Sequence, residues 1–223
     1  VLFPELKPCF DFEQKNPWHI YDVYTHTCHA VEHIEPEPEL RLAMLLHDLG
    51  KPETFFTDDK GVGHFYGHAK HSARIADDIV HRLKLSTAMQ DEVRTLVEFH
   101  DYPLEATDHI LLRRLHKFGP DTLRHLILVQ RADCLAQNPA KTGEDLDRLS
   151  TIEQKLNILL NKDPVYRTRD LAVDGGDLIA LGMEPGPQMG AFLEDLLEAV
   201  MAGDLPNERE SLLAYVREKG MKP

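Results

Sequence analysis

The sequence has few cysteines, and those few are not paired. Cys9, Cys28 and Cys134 are the three thiols among 223 residues, and none belongs to a C-x-x-C motif. This pattern excludes a disulfide framework and a zinc ribbon, both of which need suitably spaced cysteines. Unpaired cysteines are typical of a reducing compartment, so we expect a cytoplasmic protein with free thiols.

Long hydrophobic runs and an initiator methionine are also absent. No stretch approaches the roughly 18 apolar residues that suggest a membrane-spanning helix. The first residues, VLFPELKPCFDF, lack the basic and apolar regions of a signal peptide. We therefore expect no membrane association. The missing methionine predicts a chain that is processed or cut from something longer.

Basic residues are in deficit. There are 25 lysines and arginines against 38 aspartates and glutamates, which gives a formal net charge of −13. Such a surface repels a phosphate backbone, because nucleic-acid affinity depends on Lys and Arg displacing counterions. We expect a phosphate ligand to bind locally, at a metal ion that reverses the sign of the field.

The apolar residues recur with helical spacing almost throughout, which predicts an all-α fold. The segment ELRLAMLLHDLG is nearly all apolar and predicts a helix buried on most sides, ended by Gly50 and Pro52. Residues 52–66 predict a polar loop or a short hairpin. Thr87 and Gln90 resemble a capping box that begins another helix. The remaining helices are predicted at 20–34, 68–84, 87–100, 108–117, 120–136 and 143–162.

The character of the sequence changes near residue 165, after Pro164 ends a long helix. Glycines and prolines mark turns at 175, 176, 182, 185, 186 and 187. Pro187 suits the first turn of a helix that ends at Gly203, and Asn207 and Glu210 predict the start of a last helix. We interpret 1–164 as the core domain and 165–223 as a small helical appendage.

Thirteen histidines are the unusual feature, and all of them lie before residue 126. His47 follows Leu40, Ala43 and Met44 with the spacing of one helical face, so its imidazole is predicted to point into the interior. The adjacent Asp48 would be costly to bury without a partner. A metal cation would remove that cost.

The same placement recurs in four other segments. His26, His100 and Asp133 each lie on the apolar face of a predicted helix, and His68 begins a helix beside a glycine. Helical bundles build metal sites from side chains on facing helices. A single interior histidine is more often a hydrogen-bonded core residue, but five such positions together favour a metal site. Two histidines near the His26 face offer a rival ligand set: His29 and His33.

Four short motifs contain all of these interior residues except His26: HDLGKP at 47–52, GHAKHSA at 67–73, EFHD at 98–101 and RAD at 131–133. They resemble motifs of the HD superfamily of metal-dependent phosphohydrolases. The resemblance implies an HD-domain helical bundle. It also implies that the metal ligands are His26, His47, Asp48, His68, His100 and Asp133.

Two longer segments carry a closer resemblance: NPWHIYDVYTHT at 16–27 and residues 170–210, with a G-P-x-x-G helix start and a late N-E-x-E. They are similar to bacterial tRNA nucleotidyltransferases (CCA-adding enzymes). The nucleotidyltransferase head of that family, with its G-S turn and paired aspartates on a strand, is missing. Asp145 and Asp147 lie in a predicted helix instead. We therefore expect no nucleotide addition by this chain, which resembles the C-terminal part of such an enzyme or a stand-alone relative.

Histidine and carboxylate ligands without thiolates suit Mn, Fe, Co, Ni or Mg better than structural zinc. Six ligands suffice for one or two divalent ions, with Asp48 as the bridge, and such ions hydrolyse phosphate esters. Lys51 has two interpretations, a contact to a phosphate oxygen or a solvated cation at a helix end. Arg131 either neutralises charge or pairs with an acid. The catalytic candidates are thus Asp48, Lys51 and Arg131.

The resemblance implies a phosphodiesterase or phosphatase that acts on a nucleotide or an RNA 3′-end phosphate, such as a 2′,3′-cyclic phosphate, with tRNA as a candidate partner. Two alternatives stay open. One is a non-catalytic tRNA-binding body of a CCA-adding enzyme, in which the metal site is vestigial or structural. The other is a phosphohydrolase that removes phosphate from free nucleoside monophosphates.

Overall fold

A computed structural model describes residues 2–219. Helices dominate these residues, which confirms the all-α prediction. The α-helices are α1 (Val23–His33), α2 (Pro38–Leu46), α3 (Lys51–Thr54), α4 (His68–Arg82), α5 (Thr87–Phe99), α6 (Asp108–Leu135), α7 (Gly143–Leu160), α8 (Gly175–Ala180), α9 (Pro187–Ala202) and α10 (Arg209–Lys219). Short 3-10 helices span Pro4–Cys9 and Thr168–Asp170. Strands β1 (Phe56–Thr57) and β2 (Gly63–His64) form a hairpin.

The chain divides into two compact units. One comprises Val1–Pro103 and Pro120–Glu153, and the other comprises Leu104–Gly119 and Gln154–Pro223. The second unit thus takes an internal segment, 104–119, as well as the C-terminal residues. The proposed boundary between 164 and 165 divides the chain by sequence alone and stays a prediction.

The core of the first unit forms where α2 packs against α1, α4 and α5. Leu40, Met44 and Leu46 of α2 are fully buried, as the nearly continuous apolar sequence predicts. Ile79 of α4 and Leu96 of α5 are buried as well. Burial of apolar surface stabilises this arrangement by about 25 cal/mol per Å², and it fixes the helix ends that carry the polar residues described below.

The polar segment after α2 forms the short hairpin that the sequence allowed. Phe56 pairs with His64 and Thr57 with Gly63 in antiparallel register. Gly63 has no space for a side chain, because a Cβ there would overlap the backbone carbonyl of Gln14. The hairpin is therefore held against the N-terminal segment by close backbone contact.

The predicted start of α5 is wrong by one residue. Ser86, and not Thr87, is the N-cap, and its hydroxyl accepts a hydrogen bond from the Met89 amide at 3.4 Å. Ser86 has extended backbone angles, whereas Thr87 is already helical. Either hydroxyl residue suits the N-cap position, so composition does not distinguish them.

The break predicted between two helices at 117–120 lies within α6. Gly119 has a φ of 76° and a ψ of 170°, which are not helical, and Pro120 follows it. A positive φ is accessible to glycine at little cost, and proline cannot donate an amide to the preceding turn. The chain passes from the second unit to the first at this point.

The second unit contains both helices predicted after residue 186 and one α-helix that was not predicted. Helix α9 begins at Pro187 and ends with Gly203 at a φ of 81°, as predicted. Helix α8 was missed, because its first residues are the two glycines at 175 and 176. Helix α10 begins at Arg209, between the two residues that predicted its start, Glu210 and Asn207. Asn207 itself bridges two backbone groups. Its side chain accepts from the Ala172 amide at 2.8 Å and donates to the Asp170 carbonyl at 3.0 Å.

No helix within residues 2–219 combines the length and apolar character that crossing a bilayer requires.

Candidate metal centre

Five segments of the first unit bring the predicted ligands together. His26 lies on α1, the pair His47-Asp48 directly follows α2, His68 begins α4, and His100 directly follows α5. Asp133 lies near the end of α6. The helices that position these residues each bury apolar side chains, so helix packing directs the polar groups to one interior point.

One group of ligand atoms surrounds the Oδ2 atom of Asp48. The Nε2 atom of His26 lies 3.4 Å from it, and that of His47 lies 3.2 Å from it. The Oδ1 atom of Asp133 lies 2.9 Å from His26 Nε2 and 3.7 Å from His47 Nε2. Three of these side chains are 1% exposed and that of Asp133 is 19% exposed. We call these four residues the inner group.

A second group surrounds the other oxygen of Asp48. His68 Nε2 lies 3.4 Å from Oδ1, and His100 Nε2 lies 3.9 Å from it. The two Nε2 atoms are 3.1 Å apart. We call Asp48, His68 and His100 the outer group. Asp48 thus offers one carboxylate oxygen to each group, which is the arrangement expected of a bridging ligand.

Each of the four histidines has its Nδ1 atom directed at a backbone carbonyl. An Nδ1–H must donate there, so the neutral imidazole carries its lone pair on Nε2, the atom that faces Asp48. Metal-binding histidines are typically oriented in this way. The pairs are His26 with Ala136 at 3.2 Å, His47 with Met44 at 2.6 Å, His68 with Phe65 at 2.9 Å and His100 with Val97 at 2.8 Å.

These atoms fit a cation because their own hydrogen bonding is incomplete. Among residues 2–219, His26 Nε2, His47 Nε2 and Asp48 Oδ1 are buried without a hydrogen-bond partner. Leaving a buried polar atom unpaired costs roughly 1–3 kcal/mol. In the outer group, two Nε2 lone pairs would face each other at 3.1 Å. A positive ion between the atoms of each group would satisfy all of them.

The charges of the cluster also favour a bound cation. Burial alone would raise the pKa of Asp48, but the charges of His47 and Lys51 hold it well below its usual range. Burial would likewise raise the pKa of Asp133, and the nearby imidazoles of His26 and His47 hold it well below its usual range. Both carboxylates are therefore ionised in the interior, where they need a compensating positive charge.

The two groups differ in proton content. Burial would lower the pKa of His47, but the charge of Asp48 and the nearby Asp133 carboxylate raise it to about 10. Burial and the neighbouring His68 lower the pKa of His100 to about 4. At neutral pH the inner group accordingly holds a proton on His47, while His100 in the outer group is neutral.

Lys51 is buried, which excludes the solvated interpretation of this residue. Its ammonium lies 2.7 Å from Asp48 Oδ2 and donates to Gln14 Oε1 at 2.8 Å. His19 Nε2 is 3.3 Å away. Burial and the Lys51 charge lower the pKa of His19 to about 3, so this imidazole is neutral. Sequence reasoning missed Gln14 and His19, since both lie in an irregular segment without periodicity.

Arg131 and the rival histidines lie elsewhere. Arg131 forms an ion pair with Glu153 at 2.6 Å, as one of its two interpretations predicts, and it is not among the residues that line the cleft. His29 is near Glu32 at 3.2 Å and half exposed, and His33 is exposed. The structure therefore brings together the six predicted ligands and Lys51, but not Arg131.

The cluster lies at the floor of an open cleft of ≈ 440 Å³. Asp48, Lys51, His68, His100 and Asp133 contribute to its lining, and aromatic side chains stand at its rim. A small anionic ligand can therefore approach the outer group and Asp133 from solvent.

The profile of a protein family described as "tRNA nucleotidyltransferase domain 2, putative" matches residues 57–216, well over half of the chain. The chain belongs to this family. It is 30% identical over 218 residues to the A-adding tRNA nucleotidyltransferase of Deinococcus radiodurans, covering 95% of this chain and 50% of that protein. It is 32% identical over 218 residues to the CC-adding tRNA nucleotidyltransferase of Thermus thermophilus, covering 95% and 48%.

A shorter match links the chain to the CCA-adding enzyme of Levilactobacillus brevis, with 47% identity over 55 residues that cover 25% of this chain and 14% of that protein. The chain spans about half the length of the first two relatives. The predicted relation to tRNA nucleotidyltransferases is thereby confirmed. The resemblance to the HD superfamily stays a prediction.

Proposed function

We propose that this chain forms the body of a tRNA nucleotidyltransferase and binds tRNA there. The observation that carries the proposal is the family match over residues 57–216, together with alignments along 95% of the chain to two proteins named for adding nucleotides to tRNA. Of the functions considered from the sequence, the comparisons favour this one over a dedicated phosphohydrolase.

A binding experiment tests the tRNA proposal. The purified chain is titrated with a tRNA that ends before its CCA terminus and, as the control, with a double-stranded RNA of equal length. We expect tighter binding of the tRNA, with an affinity that falls as salt rises, because phosphate contacts release counterions. Equal affinities for the two RNAs at every salt concentration would contradict the proposal.

The His–Asp cluster is proposed to hold one or two divalent ions. His26, His47, Asp48 and Asp133 would hold the first ion, and Asp48, His68 and His100 the second. The donors are imidazole nitrogens and carboxylate oxygens, which suit Mn, Fe, Co, Ni or Mg. The unpaired buried atoms support this assignment.

A second candidate function is hydrolysis of a phosphate ester on a nucleotide or an RNA 3′ end. It is favoured by the opening of the cluster onto a cleft. Divalent ions, when bound, acidify a water molecule and neutralise phosphate charge. Asp48 would supply one oxygen to each ligand group. Lys51 would pair with the Asp48 carboxylate and place positive charge in the cleft.

Turnover of bis-p-nitrophenyl phosphate and 2′,3′-cyclic AMP with Mn or Ni separates the two candidates. The matched variants are Asp48→Asn and Asp101→Asn, since Asp101 also lines the cleft but belongs to neither ligand group. Hydrolysis by the wild type and Asp101→Asn, but not by Asp48→Asn, would support the hydrolase. Absence of turnover in metal-loaded protein would leave a non-catalytic body.

A further inference from the structure

Three aromatic rings stand together on the hairpin and directly after it, beside the His–Asp cluster. Phe56 and His64 are stacked with centroids 5.3 Å apart and planes at 26°, and His64 and Tyr66 are stacked at 5.5 Å and 20°. Phe56 and Tyr66 are 5.5 Å apart at 43°. We call these three residues the ring platform.

The ring platform is exposed, which is unusual for side chains of this type. Tyr66 is 76% exposed and Phe56 is 44% exposed. The stacked pair of Phe56 and His64 is a cross-strand contact that stabilises the hairpin. Tyr66 lies beyond the end of β2, so hairpin pairing does not account for its position.

The platform is also held in place. His64 Nε2 lies 3.1 Å from the Asp58 carboxylate, whose other oxygen accepts the amides of Lys60 and Val62 at 2.9 Å each. The amide of Gly63 donates to the Lys15 carbonyl at 2.8 Å. The His64 ring, fixed in this way, loses little conformational freedom when a flat ligand stacks on the platform.

The position of the platform indicates what it binds. His64 and Tyr66 line the same cleft as the metal cluster, and the metal ligand His68 follows Tyr66 by two residues, a distance of at most roughly 7 Å along the chain. Trp18, 49% exposed, lines the cleft as well. An aromatic surface this close to a phosphate site matches a nucleotide, whose base stacks on side-chain rings while its phosphate reaches the ions.

We propose that the His64 and Tyr66 rings of the platform, with Phe56 packed against both, stack the nucleobase of a ligand whose phosphate occupies the adjacent His–Asp cluster. The inference rests on the proposed metal-dependent phosphate site and adds the base as a recognised group. The ligand is a phosphate-bearing nucleotide, either free or at the single-stranded end of an RNA. Stacking tolerates any base, since every base has a flat aromatic face.

The test compares ligands that differ only by the base. Manganese-loaded protein is titrated by calorimetry with adenosine 5′-monophosphate and with ribose 5-phosphate. Trp18 is the single tryptophan of the chain, so its fluorescence reports independently whether a ligand enters this cleft. We expect the nucleotide to bind about 5- to 100-fold more tightly than the sugar phosphate, the range that stacking of one base produces.

Substitutions test whether the ring platform causes the difference in affinity between the nucleotide and ribose 5-phosphate. Tyr66→Ala is expected to remove most of the advantage of the nucleotide and leave the affinity for ribose 5-phosphate unchanged, whereas Tyr66→Phe keeps both. Phe10→Ala is the matched control, because Phe10 is 47% exposed but does not line the cleft. It should change neither affinity.

The outcomes distinguish failure of the ring platform from failure of the phosphate site. Binding of ribose 5-phosphate without an advantage for the nucleotide, or equal weakening of both ligands by Tyr66→Ala, overturns the platform and leaves the phosphate site standing. Binding of neither ligand overturns both. A trinucleotide with a terminal phosphate distinguishes the sources: tighter binding than the mononucleotide identifies an RNA end, and equal binding identifies a free nucleotide.

Discussion

Binding of a divalent ion to the inner group should release one proton, and His47 is its source. The pKa of His47 is raised from 6.5 to about 10, chiefly because the charge of Asp48 outweighs the effect of burial. Its Nδ1 donates to the Met44 carbonyl, so the additional proton resides on Nε2, the atom that would bind the ion. The ion and this proton therefore compete for one nitrogen.

The magnitude follows from linkage. While His47 is protonated, release of one proton per ion makes the affinity rise about tenfold per pH unit. From pH 6.5 to 8.5 the affinity should rise about 100-fold, equivalent to about 2.7 kcal/mol at 1.36 kcal/mol per unit. The second ion should show no such dependence on His100, whose pKa is lowered to about 4.

As the pH rises above 6.5, the stability of the metal-free protein should fall, whereas the affinity for the ion should rise. A raised folded-state pKa gives stability that is fully present below pH 6.5 and is lost as the pH rises toward 10. The lowered pKa values of Asp48 and Asp133 give stability that is lost as the pH falls below about 4. The lowered pKa values of His19 and His100 also give stability that is lost as the pH falls below 6.5. Metal-free protein should therefore be most stable near pH 6.5 and lose stability toward higher pH, where ions bind better.

Calorimetric titration with Mn, in two buffers of different ionisation enthalpy at each pH, counts the released protons. His81→Asn is the matched control, because His81 is exposed and remote from the cluster. The His81→Asn substitution should leave the number of released protons unchanged. A first-ion affinity that stays constant between pH 6.5 and 8.5, with no proton released, would refute the reasoning.

Three further substitutions have defined outcomes. Metal addition should raise the melting temperature of the wild type by about 5–10 °C at an ion concentration 100 times the Kd. Asp48→Asn should abolish this rise, and Asp101→Asn should retain it. Thermal unfolding with and without Mn checks both variants. Gly50→Ala places a Cβ 2.5 Å from the His68 carbonyl oxygen and should destabilise the fold by about 1–3 kcal/mol, measured by urea unfolding. Asn207→Ala removes two hydrogen bonds to the backbone and should cost about 1–3 kcal/mol in the same assay without changing metal affinity.

Most of the cluster could be predicted because its residues lie on regular helices. His26 and Asp133 occupy positions where periodicity alone separates a buried face from an exposed one. His47 and His100 directly follow helices whose apolar faces lead to them. Helical spacing predicts the direction of a side chain, and packing of several apolar faces then brings such groups to a common interior.

What could not be predicted lies outside regular spacing. Gln14 and His19 reach Lys51 from an irregular segment, so neither their position nor the burial of Lys51 has a periodic signal. Helix α8 begins with two glycines that are typical of turns, yet Asp174 caps it by accepting from the Asp177 amide. Residues 104–119 belong to the second unit, although the segments before and after them in the sequence belong to the first. Such an assignment depends on long-range packing, which local sequence does not encode.

The ion content of the protein tests the central claim most directly. Protein stripped with a chelator, reloaded with Mn and freed of excess ions should contain close to two ions per chain, since Asp48 serves both ligand groups. Asp48→Asn should contain close to none, and Asp101→Asn should match the wild type. Wild-type protein that retains no ion, or Asp48→Asn protein that retains as many as the wild type, would contradict the assignment of this cluster as a metal centre.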